Sequence, residues 1–145
     1  MLQIRIHFLS GARQGTVEVY PTARYASLYC GRDPGCDVRF DADLDATVSR
    51  SHAVIEWRRG DEGGAWRVQI SDLLSSNGTF VNDREVREAT SLRHGDRIRF
   101  GRGGPEVRID LNTTGDGEHT PPPARQTLET PKAVLGETIQ RRLPK

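Results

Sequence analysis

The sequence predicts an all-β sandwich of about ten to eleven short, mostly antiparallel strands. Short runs of alternating apolar and polar residues recur at close spacing, Gly, Pro, Asn and Asp punctuate them, and hardly any stretch carries a helical period. A folded unit of about 110 residues buries roughly 65% of the surface of its unfolded chain, enough for one core without metal or disulfide staples.

Ile4, Ile6 and Phe8 occupy alternate positions, the period of a strand with one buried face. Ser10 to Gly15 reads as a turn, and Thr16-Val17-Glu18-Val19-Tyr20 as the returning strand, broken at Pro21-Thr22. Ser27-Leu28-Tyr29-Cys30 delivers the chain to Gly31-Arg32, and Asp33-Pro34-Gly35 turns it into Asp37-Val38-Arg39-Phe40. An acidic, loop-like stretch from Asp41 to Asp45 follows. Ala53-Val54-Ile55-Glu56-Trp57 contains no breaker and is expected to be a central strand. The glycine-rich loop Arg58 to Gly64 joins it to Trp66-Arg67-Val68-Gln69-Ile70, whose Trp66, Val68 and Ile70 are expected to face the core. Ser71 to Thr79 reads as one long polar turn. Phe80 to Asp83, Arg84-Glu85-Val86, Leu92, Arg97-Ile98-Arg99-Phe100 and the alternation Val107, Ile109, Leu111 complete the set, with tight turns at His94-Gly95-Asp96 and Gly101 to Pro105.

Beyond Leu111 the composition changes. Residues 112–145 begin with a run ending in Pro121-Pro122-Pro123 that has almost nothing to bury, so they are expected to form a disordered, Pro- and Thr-containing tail behind a folded domain of residues 1–111. Val134 to Leu143 carries a short amphipathic pattern that also fits a turn or helix on a partner.

Net charge is +1, with Arg and Lys interleaved among Asp and Glu, so no basic stripe points to nucleic acid. No apolar run approaches the roughly 18 residues of a membrane span. The alternating N-terminus is unlike a secretory signal, and a cytoplasmic location is expected. Cys30 and Cys36 flank one turn and are expected to be reduced thiols; four scattered histidines give no metal-ligand spacing, and no metal or other cofactor is expected.

Functional chemistry concentrates in three polar turns at the ends of strand-like runs: Gly31-Arg32, Thr47-Val48-Ser49-Arg50-Ser51-His52, and Ser75-Ser76-Asn77-Gly78-Thr79. They supply guanidinium groups, hydroxyls and a carboxamide, the donors that make charge-assisted bonds to a phosphate. Taken singly, Arg32 and Arg50 also read as solvated surface charges, and Ser49 as a turn serine. Ser49 and His52 invite an enzyme reading, but residues three apart on an extended strand face opposite ways and no Gly-x-Ser-x-Gly elbow exists, so no catalytic residue is expected.

Gly31-Arg32, Ser49-Arg50-Ser51-His52, Ser76-Asn77-Gly78-Thr79 and Val81-Asn82, in that order and joined by strand-like segments, resemble the forkhead-associated (FHA) domain family over about Leu2 to Leu111. The resemblance implies an FHA/SMAD-like sandwich that binds phosphothreonine peptides through loops at one end. It implies that Arg32, Ser49, Arg50 and Ser76 lie at the phosphate, that Asn77 holds the peptide main chain, and that Gly31, His52, Gly78 and Asn82 support the loops. It further implies phosphothreonine-containing partners made by a Ser/Thr kinase. Thr47 and Val48, in the place where the family chooses a residue after the phosphothreonine, carry no charge, which argues against an acidic preference there. A phosphate-independent interaction scaffold is the competing reading, with the tail threonines Thr120, Thr127, Thr130 and Thr138 as intramolecular ligands if phosphorylated.

Overall fold

Leu2, Ile4, Ile6 and Phe8 are all buried along β1 (Leu2–Phe8) while the residues between them are half-exposed, so the strand covers a core with one face. The computed structural model describes residues 1–60 and 64–113. Among these, ten further strands follow: β2 (Val17–Pro21), β3 (Ser27–Gly31), β4 (Val38–Arg39), β5 (Ala53–Arg59), β6 (Trp66–Asp72), β7 (Thr79–Val81), β8 (Arg84–Glu85), β9 (Thr90–Leu92), β10 (Arg97–Phe100) and β11 (Glu106–Thr113). A six-stranded sheet runs β2-β1-β11-β10-β7-β8 and a five-stranded sheet runs β4-β3-β5-β6-β9. Both contribute to one core, with Ile4, Ile6, Ile98 and Ile109 from the first and Leu28, Ile55 and Ile70 from the second fully buried. The chain is therefore the all-β sandwich that its alternation predicts. β3 and β4 pair in parallel.

Several boundaries differ from those read in the sequence, for identifiable reasons. Pro21 ends β2 rather than breaking the chain before it, because β2 is an edge strand where a missing N–H is tolerated. A single 3-10 turn, Thr22–Arg24, follows, with the buried Thr22 hydroxyl donating to the Leu2 carbonyl at 2.7 Å. Ser71 and Asp72 belong to β6, paired with Val54 and Ala53, and Thr79 opens β7, so the expected nine-residue turn shrinks to residues 73–78. Asp72 and Thr79 tolerate strand ends because the Thr79 hydroxyl donates to the Asp72 carboxylate at 2.7 Å. Thr90 and Ser91 join Leu92 in β9, paired with Ile70 and Gln69. Cys30 is buried, Cys36 is half-buried, and both are free. No helix among the described residues is long and apolar enough to cross a membrane. From residue 114 onward the expected tail, including Val134 to Leu143, lies outside the described residues, as do residues 61–63 of the β5–β6 loop.

Candidate functional site

The end of β3 and the turn before β5 approach so closely that position 31 has no room for a side chain. A Cβ on Gly31 would sit 2.1 Å from the Arg50 carbonyl oxygen. The approach is held by backbone bonds: Arg32 N–H donates to the Ser49 carbonyl at 3.1 Å, Asp33 N–H to that of Arg50 at 3.1 Å, and His52 N–H to that of Cys30 at 2.8 Å. Arg32 and Ser49, 17 positions apart in sequence, thus lie on one rim.

The Arg32 guanidinium is already braced in the free protein. Its Nε donates to the Val48 carbonyl and its Nη1 to the Ala42 carbonyl at 2.8 Å, which fixes the plane of the fork. Nη2 has no protein acceptor among the described residues. Arg50 is more exposed, and its Nη2 lies 3.2 Å from Asp33 Oδ2. The Asp33 carboxyl is held below its ordinary range by the Gly35 N–H and by Arg50. Val48, part of what reads as a polar turn, is buried and pins the turn to the core.

His52 is fully buried and belongs to the loop framework. Its Nδ1 accepts the Ser49 N–H at 2.9 Å, so Nε2 carries the proton and donates to the Gly78 carbonyl at 2.8 Å. Burial pushes its pKa down, against the Gly78 carbonyl and the Asp72 charge, which favour the cation. The sequence-based geometry for this pair needs correcting. Ser49 and His52 do not lie on an extended strand, since β5 starts at Ala53. They are neighbours across a turn, joined through the Ser49 backbone rather than its hydroxyl.

Ser49 Oγ instead accepts the Ser76 N–H at 3.0 Å, which brings in the third loop. An oxygen that accepts there keeps its own hydrogen for donation outward. Asn77 donates its carboxamide N–H to the Thr47 carbonyl at 3.0 Å and remains exposed. Gly78 takes a φ of +86°, the left-handed turn that its lack of a Cβ permits. Beneath this loop Asp72 accepts the hydroxyls of Ser75 (2.6 Å) and Thr79 (2.7 Å) and the Ser75 N–H (3.0 Å). Burial pushes the Asp72 carboxyl up, but these donors outweigh it and its pKa is lowered.

Asn82 lies elsewhere. At φ +49° it forms, with Asp83 at +70°, the two-residue turn between β7 and β8. Its carboxamide donates to Asp96 Oδ1 at 3.0 Å and accepts the Arg97 N–H at 3.0 Å, fastening that turn to the start of β10.

A match between residues 28–101 and the family model described as FHA domain spans all three rim loops. The chain belongs to the FHA domain family. This family consists of phosphothreonine-binding protein-interaction modules. Among solved structures, an FHA domain from a structural and functional analysis of phosphothreonine-dependent FHA domain interactions is 27% identical, with a TM-score of 0.60 over 77% of this chain and 99% of that one. The FHA domain of an Arabidopsis thaliana hypothetical protein is also 27% identical, with a TM-score of 0.62 over 77% and 87%. The FhaA FHA domain complexed with the intracellular domain of Rv3910 is 27% identical, with a TM-score of 0.56 over 73% and 98%. No curated protein matches the chain.

This FHA domain carries a rim cation that the sequence reading passed over. Arg102 lies in the β10–β11 turn, and its N–H donates to the Asn77 carbonyl at 3.2 Å. Its guanidinium stands 5.4 Å from the Phe80 ring centre, beside that of Arg99 at 5.0 Å. Arg99 is neutralised by Asp83 at 2.6 Å, whereas Arg102 has no carboxylate within ion-pair distance among the described residues. A groove of about 340 Å³ runs between Ser76, Asn77 and Glu85 under Arg102. In sequence, Gly101-Arg102-Gly103-Gly104 offers only a turn signal. Its position beside Asn77 depends on pairing of strands far apart in the chain.

Proposed function

We propose that this FHA domain is a non-catalytic adaptor that binds phosphothreonine-containing peptides at the rim formed by Arg32, Ser49, Arg50, Ser76 and Asn77. The observation that carries the reading is the bond between Ser76 N–H and Ser49 Oγ, which joins two donor loops beside the braced Arg32 fork. A phosphothreonine brings about −1.5 to −2 charges and three acceptor oxygens. In this reading Arg32 Nη2 and the Ser49 hydroxyl donate to them at once, because backbone bonds already hold both groups in place. Arg50 exchanges its exposed pair with Asp33 for the phosphate. Asn77 holds the peptide main chain, while His52, Gly31 and Gly78 keep the rim loops in register and Asn82 braces the far end of β7 against β10.

Binding rather than catalysis is favoured because neither ring nitrogen of His52 is free to take a proton from Ser49 Oγ. The partners in this proposal are cytoplasmic proteins phosphorylated by a Ser/Thr kinase. The test is an oriented peptide library presented in phosphothreonine, phosphoserine and unphosphorylated forms to the protein. Selective retention of the phosphothreonine set supports the proposal; equal retention of all three overturns it.

A further inference from the structure

We propose that the outer face of the five-stranded sheet carries a second binding site, built on Arg58, Arg67 and Arg93, for an acidic extended segment of a partner protein. Arg58 and Arg67 are directly opposed Cα partners on β5 and β6. Val68 opposes Leu92 on β9, so Arg93, the next residue, continues the row beside Arg67. All three are exposed. The backbone of Arg93 is fixed by its N–H, which donates to Asp96 Oδ2 at 2.7 Å.

Like charges placed opposite each other across a sheet destabilise it. The other directly opposed arginine pair, Arg97 and Arg108 on β10 and β11, is neutralised by Glu106 and Asp110, each within 4.0 Å. None of Arg58, Arg67 and Arg93 has such a partner among the described residues. Glu56, the one carboxylate lining the same groove, faces Gln69 in the register and bonds none of them.

The groove has a volume of about 710 Å³ and is lined on the same face by Glu56, Gln69 and Ser91. Strands about 4.8 Å apart give the arginine row a span of roughly 10 Å. That suits a few carboxylates held by guanidinium forks. A nucleic-acid duplex fits less well, since its binders commonly neutralise about 6–10 phosphates. Single-stranded binders need open aromatic platforms, and here Trp57 and Trp66 pack against the core, on the face opposite the arginine row. The row is also separate from the phosphate rim: Arg58 is five positions beyond Ala53 along β5, or about 17 Å.

The test uses the full chain and a fluorescent peptide alternating Glu and Ser, followed by anisotropy at about 0.02 M and 0.15 M salt. Binding is expected, weaker at the higher salt, absent for the Gln/Ser counterpart and unchanged by Arg32→Ala. Arg58→Glu combined with Arg67→Glu is expected to weaken it about tenfold or more. Because charge reversal can disturb folding, Arg67→Gln is measured as well, with a several-fold loss of binding and an equal or higher Tm expected. A lower Tm for Arg67→Gln would mean that the row is neutralised within the chain, and would overturn the proposal. So would absence of binding, loss of binding with Arg32→Ala, or tighter binding of oligothymidine through the same arginines.

Discussion

Ser76 donates its backbone N–H to Ser49 Oγ at 3.0 Å, so one serine hydroxyl ties together two loops that lie 27 positions apart in the sequence. Removing that hydroxyl has two expected effects. Ser49→Ala loses a phosphate donor and raises the Kd for a phosphothreonine peptide about tenfold or more. It also leaves an N–H without its acceptor, at about 1 kcal/mol of stability. Ser76→Ala keeps the inter-loop bond, because its donor is backbone, and should affect stability less. Calorimetric titration and urea unfolding of both variants check this.

His52 gives the fold a pH dependence of definite sign. Burial holds its folded-state pKa below the ordinary value of 6.5. As pH falls through about 6.5 the unfolded chain takes up the proton first, so stability is fully present above that point and declines toward the lower folded-state pKa. Urea unfolding between about pH 7.5 and 5 should show this decline in the native protein and a flatter profile in His52→Gln.

The contact at Gly31 predicts a backbone-level defect. In Gly31→Ala the new Cβ would lie 2.1 Å from the Arg50 carbonyl, so β3 and the Ser49–Arg50 turn must separate. A loss of about 1–3 kcal/mol is expected, together with weaker phosphopeptide binding. At Gly35 the nearest atom would be the Asp33 carboxylate at 3.2 Å, a side chain that can move. Gly35→Ala is therefore the control and should change stability little.

Arg102 predicts selectivity. Thr47 and Val48 carry no charge, which in the sequence argues against an acidic preference beside the phosphothreonine. The Arg102 guanidinium at the Asn77 loop, with no carboxylate partner among the described residues, is expected to supply an acidic preference from a different turn. Arg102→Glu should reverse the ranking of peptides bearing an acidic or a basic residue there while leaving Arg32-dependent binding intact. Paired titrations measure it.

Much of the fold was legible because burial alternates so regularly in β1, β10 and β11 that apolar periodicity alone locates these strands. The rim motifs were legible as ordered short stretches. What escaped was everything decided by partners distant in sequence. Asp72 and Thr79 look like turn residues until the Asp72 carboxylate gathers the Ser75 and Thr79 hydroxyls, and Ser71 until it is seen paired with Val54. Val48 looks like part of a polar loop until it is seen buried. Arg102 reaches Asn77 only because β10 pairs with β7.

The central claim is that residues far apart in the chain converge on one phosphate-binding rim. Amide chemical-shift mapping with a phosphothreonine peptide and its unphosphorylated twin tests it most directly. The account predicts saturable shifts clustered at Arg32, Ser49, Ser76 and Asn77 with the phosphorylated peptide alone. Equal shifts with both peptides, or shifts gathered away from these residues, would contradict it.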